Sequence, residues 1–275
     1  MTPFEILKKT PKSNCRQCGY QTCLAFAAAV SKSGENPQRC PFIETTDLQI
    51  AAAKPMPLDK IPQQRELELI EHLKGKISDL NLAGLAGPLG AKSVESAGEP
   101  SLSFRYLGQE VLLSKTGVLL DASAPGDHRD QILLYNYVHS RGSDPPTLDW
   151  IGLESLPNSL SKVKTLSTYC EERLAKLISS ASPEQLAEIL TNLDGKKTSG
   201  VSATLSAVIP VLPFVPQLLL FWAAEPEDGF PAKAKILFDR GVLHFLDIES
   251  LVFSAERLAD RIAALLASSS LPATE

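Results

Sequence analysis

The sequence predicts an α+β fold, in which a small helical domain is followed by a mixed, mainly antiparallel sheet domain with flanking helices. Four of the five cysteines lie within the first 40 residues, among short helical patterns. Further along, β-rich runs of alternating polarity are grouped together and flanked by segments with helical apolar spacing. We therefore expect a first domain at residues 1–43, a proline-containing linker at 44–63 and a second domain at 64–275.

Two short helices are predicted in the first domain. The segment Thr2-Pro3-Phe4-Glu5 is a capping box with proline at the first helical position, and its helix must end before Pro11. Thr22 is placed to cap a second helix that begins at Cys23, and Gly34 is placed to end it. We expect the first helix to pack against the second.

The cysteines of the first domain have the spacing C-x2-C-x4-C-x16-C, formed by Cys15, Cys18, Cys23 and Cys40. A cluster of four irons and four sulfides (4Fe-4S) is held by four converging thiolates, three usually from one tight loop and the fourth from further along the chain. The third thiolate would lie at a helix N-terminus, where the positive end of the helix dipole favours it. The spacing therefore predicts that these four cysteines bind a 4Fe-4S cluster.

Zinc binding and disulfide formation account less well for these cysteines. Zinc also accepts four thiolates, but structural zinc sites usually contain two short C-x(2–4)-C pairs, and only Cys15 and Cys18 form one. Disulfides need an oxidising compartment, and residues 1–5 have neither the basic start nor the long apolar core of a secretory signal. We therefore predict a cytoplasmic protein.

The stretch from Asn14 to Pro41 resembles the four-iron cluster domain of the corrinoid iron–sulfur protein large subunit and, equally, that of the Rnf complex B subunit. The motif of that family is C-x2-C-G-x3-C-x2-[FY]-A, followed by a glycine and then C-P. It is matched here by Cys15, Cys18, Gly19, Cys23, Phe26, Ala27, Gly34, Cys40 and Pro41. The resemblance implies low-potential electron transfer, with a corrinoid protein among the redox partners and its cobalt as the target of reduction.

Charge is unevenly distributed along the chain. The net charge is −5 and the pI is about 5.5, which argues against a nucleic-acid surface. Through Pro41, however, six basic residues outnumber two acidic ones, so this part carries +4 and the remainder −9. A basic surface around an anionic cluster favours its reduced form and would steer an acidic redox partner, although an ordinary solvated surface explains the charges as well.

One stretch, residues 201–224, is uncharged and long enough to suggest a membrane span. A spanning helix would have to accommodate Pro210, Pro213 and Pro216. We instead predict two buried strands, at 202–210 and 216–223, around a proline corner, and no membrane span.

The remaining elements of the second domain follow from apolar periodicity. Helical spacing begins at Arg65 and continues to Leu80. Three β-rich runs separated by glycines predict an antiparallel meander, at Leu102–Tyr106, Gln109–Ser114 and Val118–Leu120. Further helices are expected at 127–142, 159–180, 183–193 and 247–267, and further strands at 232–238 and 242–245.

The glycine-rich segment 84–93 is not a nucleotide-binding loop, because Ala91 stands where that motif needs a glycine before Lys92. The segment from Phe221 to Asp239 contains a tryptophan, an acidic pair, Phe-Pro and Leu-Phe-Asp. With the helix at Ile132–Val138, it resembles an uncharacterised family, a domain of unknown function that often follows a cluster domain of this kind. That resemblance implies no activity.

Few residues outside the cysteine motif suggest chemistry. Glu225, Glu227 and Asp228 are suited to a cation or to acid–base work, but an acidic turn between two strands explains them without a function. Cys170 is expected to be buried and inert, the alternative being a free thiol for redox exchange. The chain has no nucleophile elbow, zinc-protease helix or dinucleotide fingerprint.

Three functions remain open from the sequence. The first is electron transfer from a 4Fe-4S cluster to a metallo-cofactor, on a redox partner protein or in the second domain. The second is a ligand- or partner-binding module whose cluster is structural or senses oxidation. The third is an enzyme, which predicts a deep cleft lined by the segment 225–230 and Asp239. The sequence does not decide whether the protein is an enzyme.

Overall fold

A computed structural model of the protein describes residues 3–43, 61–200 and 202–269. The chain divides into two compact units, Met1–Leu67 and Glu68–Glu275. The predicted linker at 44–63 lies outside the described residues, except for its last three, which begin a helix. The exact domain boundaries therefore stay a prediction.

The first unit contains the two predicted helices, α1 (Pro3–Lys8) and α2 (Cys23–Ser33), followed by a 3-10 turn at Pro37–Arg39. Ile6 of α1 lies in one buried apolar cluster with residues of α2, so the predicted packing of the two helices is confirmed. The larger members of that cluster from α2 are Phe26 and Val30.

The ends of α2 are set by the residues that the sequence indicated. Thr22 has extended backbone angles, and its Oγ1 accepts a hydrogen bond from the Ala25 N–H at 3.0 Å. At the other end Gly34 is left-handed, with φ at 65°, and its N–H donates to the carbonyl oxygen of Ala29. Both caps are local, so they place Cys23 in the first turn of a helix whose start is fixed.

The second unit contains two antiparallel sheets with helices around them, which confirms the predicted α+β class. The first sheet has the strand order β1-β2-β3-β4, with β1 (Lys92–Ser96), β2 (Glu99–Tyr106), β3 (Gln109–Leu113) and β4 (Val118–Leu120). The second has the order β5-β9-β8-β7-β6, with β5 (Trp150–Ile151), β6 (Lys196–Lys197), β7 (Leu205–Leu212), β8 (Val215–Trp222) and β9 (Lys233–Asp239). Every pairing between these strands is antiparallel.

The remaining helices of the chain surround these sheets or precede them. They are α3 (Ile61–Ile77), α4 (Leu82–Leu85), α5 (His128–His139), α6 (Leu160–Leu166), α7 (Glu172–Ser180), α8 (Pro183–Asn192) and α9 (Ile248–Ser269). Alternate residues of β2 are buried at Leu102, Phe104 and Tyr106, as expected for a strand with one face on a core. Just beyond β2, the Leu107 N–H donates to the carbonyl oxygen of Val211 in β7 at 3.1 Å, which joins the two sheets.

The uncharged stretch contains the two predicted strands, as β7 (Leu205–Leu212) and β8 (Val215–Trp222). The central strand β8 is buried over seven of its eight residues, so a continuous apolar run reflects burial of both faces. Pro210 and Pro216 lie opposite each other, and the register is irregular beside them because neither can donate a ladder hydrogen bond. No helix in the described part of the chain is long and apolar enough to cross a membrane.

A network of partly buried ion pairs joins α5 to α9, with Asp130 as its buried member. Arg257 contacts both carboxylate oxygens of Asp130, at 2.8 and 2.9 Å, and it also contacts Asp260 at 2.6 Å. The Tyr106 hydroxyl donates to Asp130 at 2.7 Å, and Arg173 pairs with Asp260. Burial alone would lower the pKa of Arg257, but its hydrogen bonds to Asp130 raise that pKa above the usual value.

Two expectations from the sequence are corrected by the structure, and one of its strands has no counterpart among them. The predicted strand at 242–245 is a 3-10 turn, Val242–His244, because the preceding Asp239 carboxylate accepts hydrogen bonds from the N–H groups of Leu148 and Gly241 and turns the chain. The single helix predicted at 159–180 is α6 and α7, separated by a π-helical turn at Ser167–Glu171. Strand β1 was not predicted, because most of its residues are polar and it exists only through pairing with β2.

Candidate metal centre

The four predicted ligands all lie in the first unit, and they differ in how far they are exposed to solvent. Cys18, Cys23 and Cys40 are buried, and Cys15 is exposed. Cys18 and Cys40 belong to the apolar cluster of α1 and α2, although 22 positions (40 minus 18) separate them in the sequence. The fold therefore brings the second and fourth thiols into one small core, with Cys23 at the start of α2.

The loop before α2 has an unusual backbone. Lys12, Asn14 and Arg16 all have positive φ, at 55°, 51° and 63°. The left-handed region costs a residue with a side chain roughly 1–2 kcal/mol, so such residues persist only where their surroundings hold them. Part of that support is visible, because the Asn14 Oδ1 accepts a hydrogen bond from the Cys23 N–H at 2.8 Å. The loop carrying Cys15 is thus fastened to the start of α2.

A turn at Arg16–Gly19 lies between the first two cysteines of the motif, and Cys18 is part of it. The Gly19 N–H donates to the carbonyl oxygen of Arg16 at 2.9 Å, with Gly19 at a φ of 85° that favours glycine. A hydrogen bond from the Gln17 backbone lowers the pKa of the Cys15 thiol. Donation from backbone N–H groups to sulfur is one of the ways in which a protein stabilises an anionic iron–sulfur centre.

Cys40 is held at the end of the 3-10 turn. Its N–H donates to the carbonyl oxygen of Pro37 at 3.2 Å, and the Asn36 side chain caps the turn by accepting from the Gln38 N–H at 3.0 Å. The fourth thiol therefore lies on a short hydrogen-bonded segment rather than on an open loop.

Three side chains that the sequence did not single out connect these loops. The Tyr20 hydroxyl donates to Glu35 Oε2 at 2.7 Å, and Arg39 Nη1 donates to the same oxygen at 2.9 Å. The hydrogen bond to Glu35 raises the pKa of Tyr20, and the same bond lowers the pKa of Glu35. Glu35 and Arg39 do not share a helix, so the i, i+4 rule does not indicate their pairing, and nothing in the sequence pointed to Tyr20.

The donor set fits an iron–sulfur cluster in its chemistry: it has four thiols, three of them buried, and the exposed one, Cys15, receives a backbone hydrogen bond. Among the described residues, no group of three or more His, Cys, Asp or Glu side chains is arranged to hold a single metal ion. A cubane cluster makes a different demand, because each thiolate binds a separate iron and the four surround the whole cluster.

The acidic turn expected between two strands is present at residues 225–230. Glu225 and Phe230 exchange backbone hydrogen bonds of 2.9 and 3.0 Å, and the residues between them are exposed. Asp239 lies at the far end of the seven-residue strand β9, roughly 20 Å away at the usual rise per residue. Because the turn lies before β9 and Asp239 lies at its opposite end, these residues do not line one cleft of the kind predicted for an enzyme.

Cys170 is buried, as predicted. It lies in the π-helical turn between α6 and α7 and has no exposed surface. Burial raises the pKa of its thiol to about 12, so the thiolate is scarce at neutral pH. The fifth cysteine is therefore an apolar core residue.

Comparison with known proteins covers both units. Residues 11–42 match a family model described as "Putative Fe-S cluster", and residues 81–261 match "Domain of unknown function (DUF3786)". No solved structure matches the chain.

Curated relatives match parts of the chain. The corrinoid/iron-sulfur protein large subunit of Moorella thermoacetica is 28% identical over 46% of this chain and 31% of its own length. The B subunit of the ion-translocating oxidoreductase complex of Klebsiella pneumoniae is 43% identical over 20% of this chain and 31% of its own. The gamma subunit of the acetyl-CoA decarbonylase/synthase complex of Methanocaldococcus jannaschii is 36% identical over 16% of this chain and 9% of its own. The chain thus spans less than a third of the length of each relative.

The family match over residues 11–42, together with the iron–sulfur relatives, supports an iron–sulfur cofactor, in agreement with the cysteine spacing of the first unit. The match to the second unit extends over more than half of the chain. The chain therefore belongs to the DUF3786 family and carries an N-terminal segment of the iron–sulfur cluster type.

Proposed function

We propose that this protein is an electron carrier whose N-terminal unit binds a 4Fe-4S cluster through Cys15, Cys18, Cys23 and Cys40. The observation that carries the proposal is the burial of these thiols: Cys18 and Cys40 lie in one small core, Cys23 is buried at the start of α2, and Cys15 is exposed on the loop before it. The family match over residues 11–42 supports the same cofactor.

A bound cluster of this type accepts and releases one electron. The chain contributes the environment that sets its potential. Backbone donation to sulfur and a net charge of +4 through residue 41 both stabilise the more negative, reduced state. Cys15 is the exposed ligand, so the electron would enter and leave on its side.

The partner is proposed to be a protein, because the curated relatives are named as subunits of larger assemblies. The name of the Moorella relative includes a corrinoid, so the cobalt of a corrinoid protein is the acceptor that we propose to test first. A cytoplasmic location and a role in anaerobic metabolism belong to the same proposal.

The cofactor is tested by purifying the protein without oxygen and measuring iron, acid-labile sulfide and zinc. We expect about four irons and four sulfides per chain, and a paramagnetic signal that appears when the protein is reduced by dithionite. A colourless preparation, or one holding zinc in place of iron, would contradict the proposal.

Electron transfer is tested by mixing the reduced protein with a free corrinoid and with a corrinoid protein under strong reductant. Reduction of the cobalt is followed by its visible absorbance, with the cluster-free protein as control. Cobalt that stays oxidised while the cluster cycles normally would contradict the corrinoid acceptor, and cytoplasmic ferredoxin-type partners would then be tested in the same assay.

A sensing role is the second candidate, and the exposure of Cys15 favours it. An exposed ligand leaves that edge of a cluster accessible to oxidants. In this case the affinity of the second unit for its partner would change when the cluster is lost, and added corrinoid would remain unreduced.

A further inference from the structure

Three side chains outside the predicted ligand set connect the loop after Cys18 with the segment before Cys40. They are Tyr20, Glu35 and Arg39, which we call the clamp. Tyr20 is two residues beyond Cys18, and Arg39 directly precedes Cys40. Both donate to the same oxygen of Glu35, at 2.7 and 2.9 Å.

Glu35 is itself fixed by the backbone on both sides. Its N–H donates to the carbonyl oxygen of Ala29 at 3.3 Å, which anchors it to the end of α2. Its second carboxylate oxygen accepts from the Asn36 N–H at 3.0 Å. The carboxylate that accepts hydrogen bonds from Tyr20 and Arg39 is therefore also held by contacts that do not involve either side chain.

The arginine and the tyrosine also contact the loop side of the site directly. The Arg39 guanidinium carbon lies 5.9 Å from the centre of the Tyr20 ring, and that ring packs edge-on against Phe26 at 5.6 Å. A Cβ added to Gly19 would lie 3.5 Å from Arg39 Nη2, so the guanidinium runs alongside the backbone next to Cys18. Arg39 thus connects the segment of the fourth ligand to the loop of the second.

We propose that the clamp positions Cys40 against the Cys18 loop and so sets how firmly the fourth thiolate holds the cluster. This rests on the proposed cluster and goes beyond it by assigning a positioning role to three residues that are not ligands. Arg39 is 56% exposed and Glu35 22%, so the ion pair alone is weak. The clamp acts because three groups converge on a carboxylate that is already fixed.

The test measures the rate at which a chelator bleaches the cluster in the intact protein. We expect Glu35→Gln, Tyr20→Phe and Arg39→Gln each to accelerate bleaching about threefold to fivefold. Arg39→Lys should recover part of the loss, because lysine keeps the charge but not the planar fork. Lys8→Gln, which removes the same charge from α1 outside the clamp, is the matched control and should bleach as the parent does.

Two further readouts separate positioning from other roles. If the residues acted only through charge, Glu35→Gln and Arg39→Gln would shift the midpoint potential in opposite directions and leave the bleaching rate unchanged. If they served only to stabilise the fold, amide exchange in α2 would rise along with bleaching. Positioning predicts faster bleaching in all three variants with exchange in α2 unchanged.

Bleaching at the parental rate in Glu35→Gln and Tyr20→Phe would overturn the clamp, as would an effect confined to Arg39→Gln. If the parent protein carries the cluster and the variants bleach at its rate, the clamp is overturned and the proposed function is not. A parent without iron overturns the proposed function and the clamp together.

Discussion

The cores of the two units are built from different kinds of side chain. The buried cluster of the first unit consists of Ile6, Cys18, Phe26, Ala27, Val30 and Cys40, so two of its six members are thiols. The second unit buries apolar residues from both sheets and from the helices around them, and adds the ion pairs of Arg257. A chain segment of about 40 residues seldom buries enough apolar surface to fold alone and usually needs a metal or disulfides. The comparison indicates that the first unit depends on its cofactor and the second does not.

The strongest test of this contrast is removal of the iron. Binding of a structural metal is worth roughly 10 kcal/mol or more to a small domain, so its loss should unfold the first unit. We expect the amides of α2 to lose their protection from hydrogen exchange after anaerobic chelation, while those of β8 keep theirs. Protection of α2 that survives without iron would show that its small core is sufficient.

Single-cysteine variants sharpen the contrast within one protein. Cys40→Ser should reduce bound iron and the visible absorbance severely, because the site would lose one of its four proposed thiolates. Cys170→Ala is the matched control, since Cys170 is a buried thiol in the second unit with no role at the centre. Equal iron content in the two variants would remove Cys40 from the ligand set.

The second unit should be sensitive to its ion pairs instead. Arg257→Met leaves Asp130 buried without its cation, and breaking such a pair typically costs about 3–5 kcal/mol. We expect a corresponding drop in the free energy of unfolding of this unit in urea, with iron content unchanged. Arg240→Met, which breaks an exposed pair with Asp149, should change stability little. If both substitutions lowered the free energy of unfolding by similar amounts, burial of Asp130 would not be what makes its ion pair stabilising.

Acid should weaken the second unit through Asp127. Burial alone would raise the pKa of this carboxyl, but hydrogen bonds from Arg129 lower the pKa below its usual value. Because the folded pKa lies below the unfolded one, the stabilisation is present above about pH 4 and is lost as the pH falls through the folded pKa. Unfolding in urea between pH 7 and pH 3 should show a steeper acid loss for the parent than for Asp127→Asn, which can still cap α5.

Asp144→Asn serves as the control for this smallest effect, because Asp144 is exposed and outside the network. Identical pH profiles for the parent and Asp127→Asn would contradict the role of this carboxyl.

Local signals in the sequence explain which elements could be predicted. Thr22 and Gly34 fix the ends of α2 through their own hydrogen bonds and backbone angles, and both were recognised. The strands β7 and β8 were recognised because their apolar run is interrupted by prolines. In each case the residues that decide the structure lie within the element or at its ends.

Elements that depend on distant partners were missed or misjudged. Strand β1 has a polar, mostly exposed sequence and exists through its pairing with β2. The pair between Asp130 and Arg257 joins residues 127 positions apart, and neither is unusual in its local context. At the candidate centre, the spacing predicts four ligands, and that set stays a prediction, whereas the approach of Arg39 to Gly19 depends on how two loops fold and has no signal in the sequence.

The order of the elements along the chain has a consequence for synthesis. Cys40 precedes Ile248, the first residue of α9, by 208 positions (248 minus 40). Helix α9 supplies buried residues to the hydrophobic core of the second unit. At translation rates of about 5–20 residues per second, roughly 10–40 s separate the emergence of these two points from the ribosome. All four proposed ligands would therefore be available for cluster assembly well before the rest of the nascent protein can close around its final helix.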